Sequence, residues 1–402
     1  MTEGKKKVPE VRFPGFVEPW VERKLGEVCD ISSGIMGDTS LSDGNYKITR
    51  IETISDGEIN KNRIGYCNKK PDSCYLLHKG DILYSNINSL KHIGKVAIFG
   101  EEDKLYHGIN LLRLVVKNNL YVSDFIYQQL NTEKKKNWAK AHANKAVNQV
   151  SINQSNLAKQ ILYLCEYEEQ KKIAHFLIQF DNLITLQQRK LDHLQLKKKG
   201  LLQKLFPRDG ATVPELRFAG FSGDWEQRKL GEIATFINGR AYSQKELLDN
   251  GKYRVLRVGN FYTNDSWYFS DMELDEKYYA NYGDLLYTWS ATFGPHIWTG
   301  EKVIFHYHIW KVELSSQLEK NFTVQLLERD KNEIISDKNG STMVHITKNG
   351  MEKKEVIIPK NVEEQKKIGE FFDQLDDLIT LNQRKVDHLQ TQKKAMLQKM
   401  FV

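Results

Sequence analysis

The sequence predicts an α+β chain: two mixed α/β domains separated by a long antiparallel two-helix coiled coil and related by a pseudo-two-fold internal repeat. Three observations carry this. Residues 8–28 (VPEVRFPGFVEPWVERKLGEV) and 213–233 (VPELRFAGFSGDWEQRKLGEI) agree at 13 of 21 positions, so a domain opening is duplicated. Residues 168–206 and 363–401 agree at 26 of 39 positions, so a second block is duplicated more closely. In that second block apolar residues recur at alternating steps of four and three, the spacing of a coiled-coil seam.

The elements follow in order: a tail (1–7), a first domain (8–167), a first helix (168–206), a linker (207–212), a second domain (213–362) and a second helix (363–402). Between the duplicated blocks the copies diverge, yet Tyr46–Ile51 (YKITRI) resembles Tyr253–Val258 (YRVLRV), and Gly80–Ser85 (GDILYS) resembles Gly283–Thr288 (GDLLYT). The middles therefore share a fold and differ in surface. The seam of the first helix runs Phe180, Ile184, Gln187, Leu191, Leu194, Lys198, Leu201 and Leu205; that of the second runs Leu375, Ile379, Asn382, Val386, Leu389, Lys393, Met396 and Met400. Both break at the same polar places, Gln187/Asn382 and Lys198/Lys393, either as solvated edges or as devices that set register. Acidic pairs, Glu168/Glu169 and Glu363/Glu364, suit the helix N-termini, and Asn361 with Glu364 has the form of a capping box. Pro207 closes the first helix. A helix of this length spans about 58 Å and outruns a small domain. The short linker puts the second domain at the far end of the first helix, so the second helix must run back antiparallel.

Composition sets limits. The chain has 402 residues with 40% hydrophobic and 28% charged side chains, which suits two globular domains. Its net charge of +7 permits nucleic-acid binding without requiring it. Cys29, Cys67, Cys74 and Cys165 form no CxxC pair and read as reduced thiols. Met1–Val8 is charged, so no signal peptide is expected, and no apolar run reaches membrane-spanning length; a cytoplasmic protein is expected. There is no phosphate-binding loop, no GxGxxG fingerprint, no HExxH and no GxSxG. Phe305–His308 (FHYH) alternates by two, which predicts a strand with His306 and His308 on one polar face rather than a metal site. No catalytic, cofactor or metal residues are expected in this chain.

The order of these motifs, each given twice, resembles type I restriction–modification specificity subunits: Trp20–Glu27 and Trp225–Glu232, then Gly80–Leu83 and Gly283–Leu286, then Glu168–Ile173 and Glu363–Ile368. The resemblance covers essentially the whole chain. It implies two target-recognition domains, each reading half of a bipartite DNA site, joined by helices that act as a ruler and dock two methyltransferase subunits. S-adenosylmethionine would sit on those partners, and ATP and Mg on up to two restriction subunits. The first copy departs from the family: Leu162–Cys165 lacks the proline of Ile357–Pro359, which leaves the start of its helix open.

Side chains able to read base edges or phosphates, placed on domain-rim loops, are the DNA-contact candidates. In the first domain these are Arg50, Asn86, Asn88, Lys91, Lys95, Asn148, Gln149 and Ser151; in the second, Arg240, Arg257, Asn260, Trp289, Ser290, Thr292, Ser341, Thr342 and His345. Each also fits an ordinary surface residue, and Trp289 also fits a core position. The competing reading of the whole chain is a non-catalytic coiled-coil scaffold with two protein-binding heads.

Overall fold

The computed structural model describes residues 7–54, 57–100, 104–117, 120–145, 149–262, 264–290, 292–336 and 346–402. They fall into two units, Met1–Gln188 with Arg384–Val402, and Arg189–Gln383. Each unit holds one α/β head, part of the long helix Tyr167–Leu205 and part of the long helix Val362–Met400. Among the described residues no helix is long and apolar enough to cross a membrane.

The duplicated opening motif closes each head. Val21–Lys24 pairs antiparallel with Ile161–Leu164 in the first unit, and Glu226–Lys229 with Glu355–Ile358 in the second. The chain thus enters each head beside the strand by which it leaves. The central antiparallel sheet has one strand order in both. It runs Cys29–Ser33, Leu111–Val116, Ile82–Ser85, Val96–Ile98 in the first unit, and Ala234–Asn238, Ile309–Leu314, Leu285–Thr288, Gly294–Ile297 in the second.

The repeated Gly-Asp pair is framework. Gly80 and Gly283 take φ +92° and +87°, where a side chain would be strained. Asp81 accepts from His78 N (2.6 Å) and pairs with Arg113 (2.5 Å); Asp284 accepts from Asn281 N (2.8 Å) and pairs with Lys311 (2.8 Å). Both cations stand on the neighbouring strand, so the motif locks a turn to the sheet.

Each core is completed by helix. In the first unit Trp20, Phe125, Ile173, Leu177, Leu397 and Phe401 share one cluster. In the second, Trp225, Phe322, Leu205, Phe206, Ile368 and Phe372 do so. Within each unit the two helical segments run antiparallel: Lys393 pairs with Asp181 in the first, and Lys198 with Asp376 at 2.6 Å in the second. Of the seam residues, Leu191, Leu194, Leu205, Leu375, Val386 and Met400 are buried. Phe180, Ile184, Leu201, Ile379, Leu389 and Met396 are half-buried. Leu202 and Leu397, outside the heptad pattern, are buried as well.

The acidic helix starts differ from the capping-box expectation. Asn361 does cap, accepting from Glu363 N at 2.9 Å. The Glu364 carboxylate instead takes a two-pronged grip from Arg217 (2.7 and 2.8 Å) and the indole N–H of Trp225 (3.3 Å). Glu169 is held the same way by Arg12 (2.6 and 2.8 Å). Both carboxylates are buried, and a guanidinium fork satisfies a buried carboxylate better than one backbone N–H.

Candidate nucleic-acid interface

One surface feature recurs in both heads, a rim built around a close backbone approach. An ideal Cβ on Gly34 would lie 2.3 Å from Gly108 O, and one on Gly239 would lie 2.4 Å from His306 O. Only glycine lets these chains touch. Beside the contact, Ile35 N donates to His107 O (3.1 Å) and Ile109 N to Ile35 O (2.6 Å). In the second head Arg240 N donates to Phe305 O (3.1 Å) and Tyr307 N to Arg240 O (3.0 Å). The hydrogen bonds match one for one, so Ile35 corresponds to Arg240, Gly108 to His306, Ile109 to Tyr307 and Asn110 to His308. Thr49 N donates to Tyr106 O and His306 N to Leu256 O, both at 2.9 Å, which brings the next residues, Arg50 and Arg257, to the same rim.

In the first unit this is a cleft of about 160 Å³ lined by Met36, Asp38, Arg50, Tyr66, Ile109 and Asn110. Arg50 is exposed beside Glu52 (3.7 Å). Asn110 sits at φ +69°, a conformation asparagine tolerates better than most residues.

In the second unit the rim is aromatic and cationic. His306–His308 is a connector between the strands Val303–Phe305 and Ile309–Leu314, which corrects the strand expected there. His306 is held by a single bridge to Arg240, and Ile309 N then donates to His306 O (2.9 Å), closing a turn before the next strand. The His306 and His308 rings still approach to 5.0 Å. Trp289 is half-buried: its indole N–H donates to Tyr307 O (2.9 Å), and its ring stacks on Trp310 at 5.8 Å and meets His308 edge-on at 4.9 Å. Arg240 pairs with Glu246 (2.6 Å) and lies over Tyr242; Arg257 lies 4.2 Å over the Tyr268 ring. Burial, helped by His308 and Arg257, pushes the His306 imidazole down to about 4, so it is neutral at pH 7.

The other sequence candidates are distributed unevenly. Asn86 and Asn88 come together with Gln149 and Ser151, because Ile87–Asn88 pairs with Val150–Ser151. The asparagine amides are turned inward: Asn86 donates to Ile152 O (3.2 Å) and Asn88 to Ser85 Oγ (3.1 Å). Asn260 likewise holds its own turn, accepting from Arg257 N and donating to Asn264 O and Ser266 O. These bonds hold loop shape, while Asn86 Oδ1 is buried without a partner. Lys91, Gln149 and Thr292 are exposed; Lys95, Ser151 and Ser290 are half-buried. Asn148, Ser341, Thr342 and His345 lie outside the described residues. The rims also include Met36, Ile109, Asn110, Tyr242 and Tyr307, none of them among the sequence candidates. The paired glycines Gly34 and Gly239, six residues beyond each Val28/Ile233 motif end, were the available signal. Among the described residues no group of three His, Cys, Asp or Glu side chains is placed to hold a metal ion.

Residues 17–196 and 222–391 both match the family model described as the type I restriction modification DNA specificity domain. A type I restriction enzyme specificity subunit of Methanocaldococcus jannaschii, MjaX, is 31% identical over 398 residues, covering 94% of this chain and 92% of its own. The MjaVIII specificity subunit of the same organism is 23% identical over 423 residues, covering 98% and 94%. The solved S subunit of a type I system from M. genitalium superposes with a TM-score of 0.65 at 16% identity, covering 98% of this chain and 99% of its own. A chain from a structure of type I R–M complex assembly and conformational transition gives 0.54, also at 16% identity, covering 97% and 99%. These superpositions show the shared fold. The family model matches both halves of the repeat and a relative aligns along almost the whole length, so the chain belongs to the type I restriction–modification DNA specificity subunit family.

Proposed function

We propose that each head reads one half of an asymmetric, bipartite double-stranded DNA site. The long helices set the spacing between the halves and dock two methyltransferase subunits. The observation that carries this reading is the division of labour within the repeat. The shared motifs go to framework, while the side chains around the two matching backbone contacts differ: Ile35, Gly108, Ile109 and Asn110 against Arg240, His306, Tyr307 and His308. One scaffold with two different rims suits two different half-sites. The chain is proposed to be non-catalytic and cytoplasmic, with S-adenosylmethionine on the methyltransferase subunits, and ATP and Mg on up to two restriction subunits. The domain division proposed is 8–167 and 213–362 for the heads, with 168–206 and 363–402 as the spacer helices.

Methylation mapping of a host genome with and without this chain tests the reading. The expected result is loss of one bipartite motif with an unread gap; a continuous or palindromic motif overturns it.

A further inference from the structure

We propose that the connector His306–His308, flanked by Arg240 and Arg257, is the base-reading element of the second head, and that Gly108–Asn110 with Arg50 is its counterpart in the first. This rests on the DNA-reading function proposed above and assigns it to particular side chains.

Four observations support the assignment. Both connectors are pinned at backbone level by a glycine contact that permits no side chain, and by matching hydrogen bonds, so their tips are held rigidly in corresponding places. The tips are presented outward: Tyr307 is 38% exposed and Ile109 40%, so both are accessible to a ligand. Around the second connector three buried polar atoms have no protein partner: Arg240 Nη1, Arg257 Nε and the Tyr242 hydroxyl. Buried donors are rarely left unmet, and three in one patch point to a polar ligand or to water held against one. Finally, Tyr307 and His308 are backed by Trp289 on Trp310, a platform that limits the side-chain freedom lost on binding.

The chemistry of the two tips differs in a definite direction. An asparagine amide beside an apolar branched side chain matches adenine and the thymine methyl group, and Asn110 follows Ile109. A guanidinium fork matches the N7 and O6 acceptors of guanine, and Arg240 and Arg257 share the second rim. The first head is therefore assigned an A·T pair at its reading position and the second head a G·C pair.

The test uses the full chain co-expressed with its methyltransferase partner and a randomised DNA library, reading methylation at each position. Asn110→Gly keeps the permitted backbone conformation and removes the amide. It should relax preference at one A·T position of one half-motif by roughly tenfold and leave the other half intact. Tyr307→Ala with His308→Ala should blur the other half only. Arg257→Ala should weaken discrimination at a G·C position of that same half. Thermal unfolding and co-purification of the partner report whether each variant folds and assembles, and Arg257→Lys provides a milder second variant at the same rim. Unchanged preferences in well-assembled variants overturn the assignment, as does a uniform loss across all sequences with a shallower salt dependence, the behaviour of phosphate contacts. If the unaltered complex itself shows no bipartite motif, the proposed function falls rather than this assignment.

Discussion

At the scale of single residues, the most consequential groups are the arginines of the duplicated Arg-Phe pair. Arg12 and Arg217 each satisfy a buried helix-start carboxylate and also donate to a loop carbonyl, Glu18 O (2.8 Å) and Gly223 O (2.6 Å). Removing one partner leaves a buried charge unmet, which costs on the order of 3 kcal/mol. Arg217→Ala should therefore lower the denaturation midpoint of the second head far more than a surface substitution does, and Arg217→Lys should recover little, because an ammonium lacks the planar fork. Urea titration of the variants checks both. A second prediction concerns pH. Burial pushes His107, His296 and His306 down to about 4. Each folded imidazole titrates below its unfolded value of about 6.5, so the fold favours the neutral form. Their contribution to stability is complete above about pH 6.5 and is lost as pH falls toward 4. Unfolding midpoints measured from pH 7.5 to 4.5 should fall over that window, and His296→Gln should flatten the curve in proportion to its share.

At the scale of elements, the polar breaks in the helical seams now have a physical role. Lys198 reaches Asp376 and Lys393 reaches Asp181, the same contact made twice through the repeat, and Gln325 and Gln128 also donate to those aspartates. A half-buried lysine at a seam position gains a charge partner on the facing helix and ties it to its head. Lys198→Ala should cost about 1 kcal/mol. Lys198→Glu should cost more, and adding Asp376→Lys should recover most of the loss; a double-mutant cycle by thermal unfolding measures the coupling. Asn382 is almost fully buried, with its amide donating to Leu378 O at 2.7 Å. Asn382→Leu should raise the unfolding midpoint, since a seam asparagine trades stability for register.

At the scale of the whole molecule, the repeat makes the proposed reading divisible. Exchanging residues 8–167 for the corresponding segment of another family member should change one half of the methylated motif and leave the other half and the gap alone. Removing one heptad from both long helices should shorten the unread gap; a constant gap in a complex that still methylates refutes the ruler role. Methylation maps of the altered strains read both outcomes.

Much of this organisation was legible in the chain itself. Self-similarity at 168–206 and 363–401 is independent of tertiary structure, and a four-three apolar rhythm dictates which helix face is buried wherever the helix packs. The surroundings of the candidate contact residues were not legible, because they depend on groups distant in sequence. Asn86 resembles a base reader until Ile152, 66 residues away, engages its amide. Glu364 resembles a capping residue until Arg217 arrives from 147 residues upstream. His306 and His308 alternate like a strand until Ile309 N bonds His306 O and closes a turn. The sequence by itself determined the duplication, the helices and their buried faces, since these depend on local periodicity. Only the tertiary structure decided which polar side chains remain available at the rims, because each polar group takes whichever partner the fold brings within about 3 Å.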